Sequence, residues 1–192
     1  KMLGQANQPM IFVGGGAYDA CEEVQILAET LQAPVVSYQN GRGVLDERHY
    51  LAHTNTAGAI LWDKCDVAIS IGCRLQAERM TWGMDNTIKI IHVDIDPTEI
   101  TRVMKPDVGI VADASSATKQ IINSLTKYNN KRASREEEML NLKGQANKLM
   151  EKKAGPQMAW LRAIRDALPE NGLFVDEFTQ VGYVSRVGFP VY

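Results

Sequence analysis

The sequence predicts an α/β domain, a parallel sheet with helices on both faces, followed by a linker helix and a partial C-terminal segment. Three observations lead to this class. Five short apolar runs rich in Val and Ile recur through the first two-thirds of the 192 residues. Stretches whose apolar residues fall three and four apart, the period of a helix, lie between or after several of them. The third run is apolar throughout instead of alternating with polar residues, as expected of a strand buried on both faces.

The first run, residues 10–13, ends in Gly14-Gly15-Gly16, and Ala20, Val24, Leu27, Ala28 and Leu31 then mark one face of a helix. Residues 34–38 form a second strand, followed by a loop marked by Gly41 and Gly43. A short helix over residues 56–64 precedes the apolar run 66–72, and residues 88–94 form the fourth strand. Asp96-Pro97-Thr98-Glu99 has Asp at a cap, Pro in the first helical position and Glu three residues on, which predicts a short helix ending near Met104. Residues 108–112 make the fifth strand, and Ala117, Ile121, Ile122 and Leu125 set a helix behind it. Repeated strand–helix alternation of this kind is Rossmann-like.

The apolar pattern stops at Asn129, so the Rossmann-like domain is read as residues 1–128. Residues 129–155 hold a linker helix with Met139, Leu142, Ala146, Leu149 and Met150 on one side, Glu136-Glu137-Glu138 at its start and Lys148, Lys152 and Lys153 at its end, charges that suit the macrodipole. Gly155-Pro156 opens another helix with Trp160, Leu161, Ile164 and Leu168 facing inward, and residues 173–176 read as a strand. One helix and one strand cannot bury a core alone. Residues 156–192 are therefore expected to begin a further domain, and the chain to be a piece of a longer protein without a complete active site.

Composition narrows the function classes. Lys and Arg number 21 against 23 Asp and Glu, a formal charge of −2 with mixed signs, so no basic footprint for nucleic acid appears. No run approaches the ~20 apolar residues that cross a bilayer, and residues 1–4 do not open a signal peptide; a cytoplasmic protein is expected. Cys21, Cys65 and Cys73 lack CxxC spacing and lie in or beside apolar segments, which reads as buried free thiols.

In a doubly wound sheet, ligands sit beyond the carboxyl ends of the strands, where glycines let backbone N–H groups approach phosphate. The candidates are Gly14, Gly15 and Gly16, Gly72 and Arg74, Asp94 and Asp96, and Asp113. Gly14-Gly15-Gly16-Ala17-Tyr18-Asp19 puts Asp where a dinucleotide fingerprint needs its third Gly, and Ser37, Tyr38 and Gln39 stand where a ribose-binding acid is expected, which disfavours a standard dehydrogenase. Several residues have two readings. Asp94 and Asp96 either contact a ligand or cap the following turn, and Arg74 pairs either with phosphate or with a neighbouring carboxylate. His92 reads as a core or partner-facing histidine, Trp62, Trp82 and Trp160 as packing anchors, and residues 80–83 as an interface loop.

Four segments taken in order resemble the central domain of the thiamine diphosphate-dependent 2-oxo acid enzymes, the group that includes acetolactate synthase and benzoylformate decarboxylase. They are Pro9-Met10-Ile11-Phe12-Val13-Gly14-Gly15-Gly16-Ala17, Asp66-Val67-Ala68-Ile69-Ser70-Ile71-Gly72-Cys73-Arg74, His92-Val93-Asp94-Ile95-Asp96-Pro97-Thr98-Glu99-Ile100 and Val111-Ala112-Asp113-Ala114. Asp176-Glu177-Phe178-Thr179-Gln180 resembles the opening of that family's diphosphate-binding domain, which makes Thr179 and Gln180 candidate diphosphate contacts. By the same resemblance, the flavin-carrying branch holds an adenine nucleotide, as FAD or ADP, at positions matching His53, in the loop before the third strand, and Gly72, Arg74, Asp94, Asp96 and Asp113. The sequence departs from that branch at His53-Thr54-Asn55, where His-Gly-Thr is usual, and at Arg74-Leu75-Gln76-Ala77, where Arg-Phe-Asp-Asp is usual.

The resemblance implies a parent that decarboxylates or ligates 2-oxo acids with thiamine diphosphate and Mg2+, assembles as a homo-dimer or tetramer, and carries its activating glutamate and Gly-Asp-Gly magnesium segment on N- and C-terminal domains. No Gly-Asp-Gly occurs in the sequence, so this piece is read as the scaffold domain, with no catalytic and no metal-binding residue assigned and no cofactor of its own certain. Two alternatives stand beside it: a stand-alone FAD- or NAD-binding module, and a non-catalytic interaction domain.

Overall fold

A computed structural model describes residues 1–83 and 87–192, and among the described residues six parallel strands form one sheet. They are β1 (Pro9–Val13), β2 (Val35–Ser37), β3 (Ala52–Thr54), β4 (Val67–Ile71), β5 (Lys89–Asp94) and β6 (Val108–Val111). Their spatial order is β3-β2-β1-β4-β5-β6. The chain runs outward from β1 to β3 and then returns to the other side of β1, so right-handed crossovers put helices on both faces. The helices are α1 (Met2–Gln5), α2 (Cys21–Leu31), α3 (Asn55–Leu61), α4 (Ala114–Leu125), α5 (Glu136–Ala167) and α6 (Gln180–Gly188).

The five expected strands are all present, and every residue of β1 and β4 is buried. The face of α2 read from the sequence is fully buried and packs beside α4. Cys65 and Cys73 are buried and Cys21 partly so; all three are free thiols, and burial pushes Cys65 and Cys73 each up to about 12.

The structure adds β3, which sequence reading placed in a loop. Its three residues are too few to show a period, and pairing decides it: Val35, Val36 and Ser37 of β2 sit opposite Ala52, His53 and Thr54. The helix expected after Asp96 is absent. Glu99 N donates to Asp96 O (3.1 Å) and Arg102 N to Glu99 O (3.2 Å), so the segment makes tight turns. Four β-branched residues, Thr98, Ile100, Thr101 and Val103, weaken a helix that must end before Pro106.

α5 is broken at Ala154 (φ −147°, ψ 39°), with Pro156 just beyond, so the two helices read from the sequence meet where expected. Met139, Leu142 and Ala146 lie in the main core, while Met158 and Leu161 join Phe189 in a small separate cluster. Trp160 is not inward but 66% exposed, because the buried face follows Met158, Leu161 and Ile164 at three-residue steps. The strand expected at residues 173–176 is also absent: the segment pairs with no strand and leaves Leu173 and Val175 about 90% exposed.

The sequence reading contained no α6. Its cap is Thr179, whose Oγ1 accepts from Gly182 N at 3.0 Å. Arg42, buried in the loop after β2, fastens this end of the chain. It pairs with Glu47 and donates to the carbonyls of Ser185 (3.3 Å), Arg186 (2.7 Å) and Phe189. Glu47 in turn accepts from Val191 N at 3.2 Å.

Candidate functional site

The order reversal between β1 and β4 leaves a crevice at the carboxyl rim of the sheet, the place where doubly wound folds bind ligands. A cleft of about 730 Å3 opens there. It gathers Gly14, Gly15, Gly16, Gly72, Arg74, Asp94, Asp96 and Asp113, drawn from the last residue of β5 and the loops after β1, β4, β5 and β6. Parallel pairing explains the convergence, since residues that follow different strands share one rim only when all strands run the same way.

The remaining three predicted residues lie elsewhere. His53 is buried within β3 and faces a smaller cavity lined by Lys143 of α5, not the cleft. Thr179 and Gln180 stand exposed at the N-terminus of α6, where Gln157 Nε2 donates to Gln180 Oε1 at 2.8 Å.

Two glycine positions at the crevice are dictated by the protein's own backbone. Gly72 has φ +57°, and a Cβ there would lie 2.5 Å from the backbone of Gly16; a Cβ on Gly14 would lie 2.3 Å from Gly72 O. The loops after β1 and β4 therefore touch main chain to main chain, leaving Gly15 and Gly16 exposed toward the cleft.

The polar side chains are partly committed to the fold. Asp94 Oδ1 accepts from Asp96 N at 3.0 Å, and Asp96 Oδ1 accepts from the Thr98 hydroxyl (2.7 Å) and Thr98 N (2.8 Å), bonds that hold Asp96 below the usual carboxylate range. Asp113 Oδ1 accepts from Ser116 N at 2.9 Å as the cap of α4 and is lowered for that reason. Arg74 Nε donates to Glu99 Oε2 at 2.6 Å, and Glu99 also pairs with Arg102 at 3.0 Å. Both of the alternative readings, caps and a carboxylate partner, are thus realised in the geometry.

Sequence reasoning did not assign to the site Asp19, Tyr38 and Glu99, which line the cleft, or Glu78, which bonds Tyr38. Glu78 is fully buried in a single π-turn (Glu78–Trp82), accepts from the Tyr38 hydroxyl and has its Oε1 unpartnered. Burial raises its carboxyl to about 7 and also pushes the Tyr38 phenol upward. Its only sequence signal was a charge four residues after Arg74, which reads as surface. Leu75, at φ 51°, turns the chain between the exposed arginine and the buried acid. Trp62 and Trp82 do act as packing anchors, both against Phe12, while Met80 beside them is 73% exposed. His92 is buried, with Nδ1 3.2 Å from Ile100 O.

A six-stranded doubly wound sheet with a crevice at its switch point defines the class as a Rossmann-like α/β domain. Comparison with known proteins narrows it. A family model described as thiamine pyrophosphate enzyme, central domain, matches residues 1–121. The chain belongs to the thiamine pyrophosphate enzyme family through this central domain. It is 37% identical over 142 residues to a probable acetolactate synthase large subunit of Methanococcus aeolicus, covering 68% of this chain and 24% of that protein. It is 35% identical over 136 residues to the same kind of subunit from Methanocaldococcus jannaschii, covering 65% and 23%. With an acetolactate synthase of Mycobacterium leprae it is 32% identical over 139 residues, 67% and 22%. The chain thus spans about a quarter of the length of these relatives.

Proposed function

We propose that this chain is the scaffold domain of an enzyme that decarboxylates or ligates 2-oxo acids with thiamine diphosphate and Mg2+. The observation that carries the reading is the central-domain match over residues 1–121, joined to relatives named acetolactate synthases. Thiamine diphosphate supplies the electron sink for carbon–carbon cleavage, and the protein's part is binding and orientation. Thr179 and Gln180 are proposed diphosphate contacts; in support, both are exposed at the N-terminus of α6, where free N–H groups favour an anion. No helix is long and apolar enough to cross a membrane among the described residues, which accords with a cytoplasmic enzyme. Assembly as a homo-dimer or tetramer is proposed through the parent's other domains.

The test is paired. The full-length parent, supplied with thiamine diphosphate, Mg2+ and pyruvate or another short 2-oxo acid, is expected to release carbon dioxide, and the 192-residue chain alone is expected to release none. Release by the chain alone, or none by the parent with any 2-oxo acid, overturns the reading.

A second reading concerns the cleft, which we propose as a seat for the adenine nucleotide part of FAD or ADP. Its volume suffices, Asp94 and Asp113 offer acceptors to ribose hydroxyls and an adenine amino group, and the exposed backbone of Gly15 and Gly16 lies near Arg74 for phosphate. Calorimetric titration of the chain with FAD, ADP and NAD checks it: saturable binding of FAD or ADP that Arg74→Ala weakens is expected, and no heat from either removes it.

A further inference from the structure

The smaller cavity that received His53 holds about 250 Å3 between β3, the first turn of α3, α5 and residues 187–192. His53 is only 4% exposed, yet neither ring nitrogen makes a hydrogen bond within 3.5 Å, the Tyr50 backbone being the polar group that bears on the ring. Buried polar groups without partners are rare and ask for an occupant. The volume accommodates several waters, each claiming about 30 Å3 of liquid, or one small oxyanion.

Charge favours the oxyanion. Of the cations that line the cavity, Arg42 has every N–H engaged, by Glu47 and the carbonyls of residues 185, 186 and 189. Arg48 is matched by Asp46 (2.5 Å) and Glu170 (2.7 Å). Lys143 differs. Its Nζ donates to two carbonyls, Glu47 O (2.7 Å) and His49 O (2.6 Å), and among the described residues it forms no ion pair within 4.0 Å. Two of its three N–H groups are therefore used, and the carboxylates that bear on it, Glu47 and Asp46, lie beyond ion-pair distance and are themselves paired with Arg42 and Arg48. A half-buried cation in that state is stabilised by an anion more than by water.

We propose that His53 and Lys143 form a binding site for a small oxyanion, a carboxylate or a phosphate, distinct from the cleft at the switch point. Lys143 would contribute its remaining N–H and full charge from α5, and His53 one ring N–H from β3. The electrostatic environment of His53 agrees with this. Burial, then the charges of Lys143 and Arg135, hold the ring far below the usual imidazole range, and a bound anion opposes the last two. The site also ties the sheet to the linker helix and the C-terminal segment, the three elements that line it.

The chain's three histidines make the test direct, because ring resonances of His49, His53 and His92 report separately. Inorganic phosphate and pyruvate are each titrated into the chain near neutral pH, with sodium chloride at matched ionic strength as reference. The expected result is a saturable shift of the His53 ring with one or both oxyanions, no response to chloride, and little change at His49 and His92. Which oxyanion binds more tightly separates a phosphate-bearing from a carboxylate ligand. Lys143→Met should weaken the binding by about tenfold or more, as for loss of one charge-assisted hydrogen bond, while Lys143→Arg retains it. If His53 does not move with either oxyanion, or moves equally with chloride, the cavity holds only water and the proposal fails. That outcome is decided on the unaltered chain, whatever the variants' stability.

Discussion

Gly72 holds φ at +57° with the backbone of Gly16 against it, so a side chain there meets both left-handed strain and a collision. Gly72→Ala is expected to lower stability by about 2 kcal/mol, read as a shift in the urea midpoint, with strain alone accounting for much of it. Glu78 supplies a pH-dependent prediction of the opposite kind. Its carboxyl titrates near 7 when folded and at 4.5 when exposed, so between these values the native state holds the proton more tightly than the unfolded chain. Stability from this group is complete below pH 4.5 and lost as pH rises through about 7, by roughly 3 kcal/mol at the full shift. Glu78→Gln should erase that part of the stability–pH curve, and an unchanged curve in the variant would show that the acid is hydrated. Neither residue was equally visible beforehand. Gly72 stood out because it follows an apolar run, whereas Glu78 stands in a mixed stretch, Gln76-Ala77-Glu78-Arg79, with no apolar run beside it, and only the fold buries it.

At the scale of elements, Asp113 caps α4 whether or not a ligand ever meets it. Asp113→Ala should cost about 1 kcal/mol in thermal or chemical unfolding and Asp113→Asn nearly nothing, since Asn caps as well. If nucleotide binding also depends on the carboxylate, Asp113→Asn loses affinity without losing stability, which separates the two roles. The clamp on α6 is more costly to break. Arg42→Ala leaves the part-buried Glu47 without its cation and removes one donor from each of the carbonyls of residues 185, 186 and 189, an expected loss of about 3 kcal/mol. Hydrogen exchange should show it first as faster exchange across α6, with β1 and β4 still protected. Nothing in the apolar pattern announced this clamp, because its acceptors are backbone carbonyls more than 140 positions away.

For the molecule as a whole, we propose the division into residues 1–128, 129–155 and 156–192, with one amendment to how separable the parts are. Met139, Leu142 and Ala146 of α5 sit in the same core as β1 and β4. A chain ending at Tyr128 exposes that part of the core, so its unfolding midpoint should fall well below that of the intact chain, and equal midpoints would make the linker helix dispensable. At the other end Leu173, Val175 and Phe178 stay 80% or more exposed. Apolar groups so exposed accord with a segment that packs against further parts of a parent protein.

The sequence by itself determined the parallel α/β class, the helices whose buried face repeats through three or four turns, and the identity of eight residues that meet in one cleft. Those signals are local: a strand's apolar run, a helical period, and glycine or aspartate at a strand's end are all written in adjacent positions. Only the tertiary structure decided that β3 is a strand, that Trp160 faces solvent, that the segment after Asp96 turns without coiling, and that His53 belongs with Lys143 in place of the cleft. Each of these depends on which distant backbone or side chain arrives beside it. A three-residue strand exists through its neighbour, and a histidine's role follows from the cavity its fold assigns to it.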